Sequence, residues 1–150
     1  MKFQGAYNNS IDLKGRASIP ARFREELSRV CGDERLMVTQ NKGGLVAYPM
    51  PEWEKIMSNV EALDPGQKRD DIYLSLISPA TECSFDKVGR IQLSQSHRDY
   101  AGLESEIREI VVVGMAGKIM IWSKSKHAEI RAQAESRLDA DPQTLADIGF

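Results

Sequence analysis

The 150-residue sequence predicts an α+β fold in which one motif is used twice, giving a single barrel-like domain with a pseudo-twofold axis and flanking helices. Three observations carry this. The stretch from Ile11 to Ile19 (IDLKGRASI) lies over the stretch from Phe85 to Leu93 (FDKVGRIQL) at a constant offset of 74 residues. Without a gap, the same offset brings Arg24 onto Arg98, Val38 onto Val112, Gly43 onto Gly117, Tyr48 onto Trp122 and Ile56 onto Ile130. Each copy reads as strand, tight turn, strand, short helix, strand, turn, strand, longer helix. A unit that small is below the size that buries a core of its own, so two units are expected to share one.

The first repeat with its helix spans residues 1–63. Asp12 opens a tight turn by accepting from backbone N–H groups, and Gly15 at its fourth position tolerates a positive φ. Beyond the turn, Ala17 and Ile19 alternate with Arg16 and Ser18, the pattern of a strand with one wet face, so Arg16 points away from the core. Pro20 suits the first turn of a short helix that Gly32 ends. Two apolar strands, RLMVTQ and LVAYP, meet at Asn41 to Gly44. The best-patterned helix follows, opening near Pro51 with Trp53, Ile56, Met57, Val60 and Leu63 on one inward face. Residues 64–79 form a connecting helix. Asp64, Pro65 and Gly66 break the chain, Pro65 starts a helix with a stripe of Ile72, Tyr73, Leu76 and Ile77, and Pro79 ends it.

The second repeat with its helix spans residues 80–138. Asp86 and Gly89 rebuild the turn, Ile91 and Leu93 alternate with Arg90 and Gln92, and Gly102 stops the short helix after Tyr100. Strands EIVVVGM and KIMIW meet at Ala116 and Gly117. A helix from about Ser125 to Leu138 carries a thinner stripe, Ile130, Ala134 and Leu138, which implies a partly exposed or partner-facing element. Residues 139–150 read as a tail running from Asp141 and Pro142 to Phe150.

Composition narrows the function. Lys plus Arg number 20 against 22 Asp plus Glu, a net charge of −2, so bulk attraction does not hold a polyanion and any nucleic-acid contact is local. Cys31 and Cys83 form no CxxC, and with only His97 and His127 beside them no zinc-ligand set is expected. Free thiols fit a reducing cytoplasm. The longest stretch without a polar side chain, Ile110 to Gly117, is too short to span a bilayer, and the opening MKFQGAYNNS lacks the apolar core of a signal peptide. A soluble, cytoplasmic chain with no membrane partner is expected. No Gly-rich phosphate loop, G-x-S-x-G or paired catalytic carboxylates occur, so no enzyme, cofactor, metal or small-molecule substrate is expected. Asp12 and Asp86 read as turn-formers, the two histidines as surface or satisfied core residues, and Trp53, Tyr48 and Trp122 as core or interface.

What charge there is gathers at the turns. Residues 1–24 hold five basic side chains and one acidic. Lys14 and Arg16 sit at one turn, Lys87 and Arg90 at the other, and Arg22 and Arg24 behind the first. A guanidinium fork matches two phosphate oxygens or the O6/N7 edge of guanine, and a two-stranded ribbon fits a major groove. One bidentate Arg–guanine pair is worth about 1–3 kcal/mol of discrimination, so two per chain leave specific binding to several chains acting together. The plainer alternative is that the arginines are solvated or pair with their own aspartates. At the level of function, the alternative is a protein-interaction or assembly module on the same barrel without nucleic acid, which the net negative charge favours.

Gly5, the run from Ile11 to Arg24 (IDLKGRASIPARFR), the segment from Tyr48 to Trp53 (YPMPEW) and the second DKVGR from Asp86 to Arg90 occur in that order. Over residues 3–130 the chain thereby resembles the MraZ family, bacterial regulators linked to the division and cell-wall gene cluster. The resemblance implies two AbrB-like swapped-hairpin halves in one chain and assembly into a homo-oligomeric ring. It also implies a repressor that binds short direct repeats of double-stranded DNA in the promoter of its own operon, associated with the nucleoid. Carried over residue by residue, the DNA-facing positions are Lys14, Arg16 and Arg90, with Lys87 beside them. Ser94 stands where many relatives keep a proline, and the last twenty residues fall outside the pattern.

Overall fold

Apolar runs lay down an antiparallel sheet, with the strands at 44–49 and 118–123 buried along nearly their whole length. The computed structural model describes residues 2–104 and 106–150. The first half supplies β1 (Phe3–Ser10), β2 (Arg16–Ser18), α1 (Ala21–Cys31), β3 (Leu36–Asn41), β4 (Gly44–Pro49) and α2 (Met50–Glu61). Next, α3 (Gln67–Ile72) runs on into a π-helical turn, Tyr73–Ile77. The second half repeats the order with β5 (Thr81–Cys83), β6 (Arg90–Gln92), α4 (Gln95–Ala101), β7 (Glu109–Ala116), β8 (Lys118–Ser123) and α5 (Lys124–Asp139), and α6 (Pro142–Asp147) follows. The mixed helix and strand content expected from the sequence is present.

Pairing crosses between the halves. The main sheet has the order β1-β7-β8-β4-β3-β5, and β2 pairs with β6 in a second, two-stranded sheet. Asn9 of β1 faces Ile110 of β7, and Cys83 of β5 faces Leu36 of β3, the same pairing displaced by 74 residues. Where β4 meets β8, Val46 faces Met120; where β2 meets β6, Ala17 faces Ile91. Each of these last pairs joins two positions that the offset itself equates, the register of a local twofold. One cluster of buried side chains draws on both halves, including Phe23, Leu36 and Leu45 from the first and Ile91, Ile110 and Ile121 from the second.

Local chemistry accounts for the boundaries. Gly32 and Gly102 close α1 and α4 in the left-handed conformation. Ser94, in the place of the proline that precedes α1, caps α4 by accepting the His97 N–H at 3.2 Å. Lys42 and Gly43, both with positive φ, make the tight turn between β3 and β4. Three expectations need correction. Leu63 lies beyond α2 and is exposed, because the chain turns out of the helix at Ala62, ahead of the Asp64-Pro65 break. The connecting helix starts at Gln67, after an extended Gly66, two residues later than Pro65. The tail contains α6, whose start Asp141 caps by accepting from the Thr144 N–H and whose first residue is Pro142. No residue of α5 is buried, in keeping with its thin stripe. No described helix is long and apolar enough to cross a membrane.

Candidate nucleic-acid interface

Each turn is organised by its aspartate. Asp12 Oδ1 accepts the N–H groups of Lys14 at 3.0 Å and Arg16 at 2.9 Å, and the Gly15 N–H donates to the Asp12 carbonyl at 3.0 Å. Asp86 Oδ1 accepts from Val88 at 3.0 Å and Arg90 at 2.9 Å, and Gly89 donates to the Asp86 carbonyl at 3.1 Å. Gly15 and Gly89 have φ of 79° and 83°, the left-handed region in which a Cβ is strained. The Ile19 N–H donates to the Gly89 carbonyl and the Leu93 N–H to the Gly15 carbonyl, at 3.1 and 2.9 Å, so each turn is tied to the strand of the opposite half. The two tips are held side by side.

Arg16 and Arg90 are brought into one network. Arg16 Nε donates to Asp12 Oδ2 at 2.6 Å and Arg90 Nε to Asp86 Oδ2 at 2.8 Å, while Arg90 Nη1 reaches across to Asp12 Oδ2 at 3.5 Å. About a third of each side chain stays accessible, 34% for Arg16 and 30% for Arg90. The pairing of motif arginines with motif aspartates is therefore present, and it fixes the guanidinium groups while leaving part of each accessible. The Arg16 N–H holds the Asp12 carboxyl below its ordinary value of 3.8; partial burial opposes this and the Arg16 side chain adds to it. Asp86 is lowered in the same way by the Arg90 N–H, against burial, and then by the Arg90 side chain. Lys14 and Lys87 are exposed at the apices.

Two further arginines complete the surface. Arg98 of α4 lies over Gly15 and Arg24 of α1 lies over Gly89, close enough that a Cβ on either glycine would overlap the guanidinium. The sequence put Arg24 behind the first turn and matched Arg98 to it at the 74-residue offset; the fold instead sets Arg24 against the second turn and Arg98 against the first, because each turn packs on the helix of the opposite half. That match is the signal that each arginine belongs to a tip. Leu13 and Val88, exposed at the apices, were not singled out by the sequence at all. Elsewhere, His97 is buried with Nε2 2.7 Å from the Pro79 carbonyl. Burial lowers the His127 pKa, with Arg131 adding to the effect, and pushes the Cys83 thiol up to about 11. Trp53 and Trp122 are buried. Among the described residues no cluster of His, Cys, Asp and Glu could hold a metal ion.

Comparison with known proteins identifies relatives of the chain. A family model described as "MraZ protein, putative antitoxin-like" matches residues 2–72 and 76–148, two stretches whose starts differ by the same 74 residues. A protein of Syntrophotalea carbinolica named "Transcriptional regulator MraZ" is 61% identical over 150 residues, covering 100% of both chains. Proteins of the same name from Geobacter sulfurreducens and Geobacter metallireducens are 35% and 38% identical, each alignment covering 99% of both chains.

Proposed function

The chain belongs to the MraZ family, a family of transcriptional regulators and not of enzymes, and from that premise we propose that it is a sequence-specific DNA-binding regulator acting through its paired tips. Lys14 and Lys87 contact phosphates and set register, while Arg16 and Arg90 read base edges. In this reading the two repeats, residues 1–63 and 80–138 joined by 64–79, are AbrB-like swapped-hairpin halves of one pseudo-twofold barrel. Several chains form a ring that occupies short direct repeats in the promoter of their own operon, within the division and cell-wall gene cluster, and represses it in the nucleoid.

One observation supports this above the others. Lys14, Arg16, Arg24, Lys87, Arg90 and Arg98 surround two adjacent tips whose carboxylates are Asp12 and Asp86, on a chain whose net charge is −2. That local excess of cations on a rigid, paired ribbon is what a duplex requires and what a bulk-charge mechanism lacks.

Footprinting the purified protein on the DNA upstream of its own coding sequence, with native mass measurement alongside, tests the proposal. Protection of spaced repeats by a closed oligomer is expected, with affinity falling steeply as salt is raised because several phosphate contacts release counterions. Absence of protection, or affinity indifferent to salt, would overturn it in favour of a protein-interaction module.

A further inference from the structure

The 74-residue offset breaks down at the apex of the tips. It carries Asp12, Gly15, Arg16 and Arg24 onto Asp86, Gly89, Arg90 and Arg98, yet it sets Lys87 against Leu13 and Val88 against Lys14. The backbone is not the source of the difference. The aspartate accepts the same two N–H groups in both turns, and the glycine closes both in the same way. What differs is the order in which a cation and an apolar group follow the aspartate. Both apolar groups stand in solvent, Leu13 at 69% and Val88 at 63% exposure. A single exposed leucine or valine is unremarkable on a protein surface. Here one recurs at the apex of each tip, next to a lysine and shortly before the motif arginine in sequence, and neither belongs to the buried core.

We propose that Leu13 and Val88 are specificity-determining residues that pack on thymine 5-methyl groups in the major groove, and that their permuted placement makes the paired tips read a duplex in one direction only. The inference rests on the DNA-binding function proposed above. The thymine methyl is the distinctive apolar feature among the base edges of that groove, so an exposed aliphatic side chain finds its partner there. Lysine on a phosphate carries no such information. Were the two tips of identical order, rotation about the local twofold would return apolar to apolar and cation to cation, and the preferred element would be palindromic. With the order permuted, the same rotation replaces a leucine by a lysine, and the two orientations of one element differ in energy.

Selection of bound duplexes from a randomised pool tests this, using the full-length protein, L13K/K14L and K87V/V88K. Each double variant exchanges two neighbouring exposed residues, keeps charge and composition, and gives the tips the same order. Their thermal midpoints are compared with that of the unaltered protein. The unaltered protein is expected to recover a non-palindromic element containing thymine, and both variants an element with twofold symmetry. Rebuilding the recovered duplex with deoxyuridine for thymine is expected to weaken binding about fourfold for each contacted methyl lost, a difference that Leu13→Ala diminishes. A palindromic element from the unaltered protein, retention of its element by both variants, or indifference to deoxyuridine would overturn the proposal. Failure to enrich any sequence would instead strike at DNA binding itself, and this inference would fall with it.

Discussion

Asp12 serves two purposes with two oxygens: Oδ1 shapes the turn through the Lys14 and Arg16 N–H groups, and Oδ2 aims Arg16 while touching Arg90. Substitutions separate them. Arg16→Ala removes a guanidinium proposed to read base edges and leaves the turn intact, so specific binding is expected to fall about 10- to 100-fold with an unchanged far-UV spectrum. An unaltered gel-shift titration at fixed salt would exclude Arg16 from the interface. Asp12→Asn keeps an acceptor for the turn but removes the counter-charge of Arg16 and the longer, second contact of Arg90, which keeps its pairing with Asp86. Binding to unrelated DNA is expected to strengthen while the ratio of specific to non-specific affinity drops, and a ratio that stays level would show that the carboxylate does not aim the arginines. The depressed carboxyls also fix a pH dependence. Asp12 and Asp86 titrate below 3.8 in the folded chain. Their contribution to stability is therefore complete above that value and is lost as pH falls from it through their lower folded values. Between pH 5 and 8 these two groups are expected to leave the specificity ratio flat; a step there would place another titrating group at the tips.

At the scale of elements, the turns were legible in the sequence because their chemistry is local. Asp at the first position and Gly at the fourth leave few alternatives. Gly15→Ala tests this. At φ of 79° an added Cβ costs about 1–2 kcal/mol, and the new methyl must displace Arg98 besides. Gly32, at φ of 65° with open space around it, carries the strain alone. Gly15→Ala is thus expected to lower the thermal midpoint further than Gly32→Ala and also to weaken DNA binding; equal shifts without a binding defect would remove Arg98 from the tip. Lys14, Arg16, Lys87 and Arg90 were legible from the same motifs. The apposition of Arg98 to Gly15 and of Arg24 to Gly89 was not, because it depends on which half packs where, and no local pattern records that. The helix ends show the same division. Gly32 and Gly102 announced themselves, whereas Leu63 fits the apolar period of α2 but lies past the point where the chain leaves the helix.

For the whole molecule, the pairing of strands across the two halves has a consequence for folding. Within the main sheet β1 pairs with β7, β5 with β3 and β4 with β8, and these three pairings, together with β2–β6 in the second sheet, all join one half to the other. A chain of residues 1–72 therefore keeps the β3–β4 hairpin and loses the partner of every other strand it contains, along with the core contributed by Ile91, Ile110 and Ile121. A hairpin on its own is marginal in water. Residues 1–72 are accordingly expected to be unfolded as a monomer, with exchangeable amides and no cooperative thermal transition. Any structure they recover should depend on protein concentration, since only a second copy can supply the missing strands. Mixing them with residues 73–150 is expected to restore a cooperative transition. A concentration-independent, folded monomer of either half would show that each repeat carries a sufficient core, and the coupling of the two tips through one shared interior would then lose its physical basis.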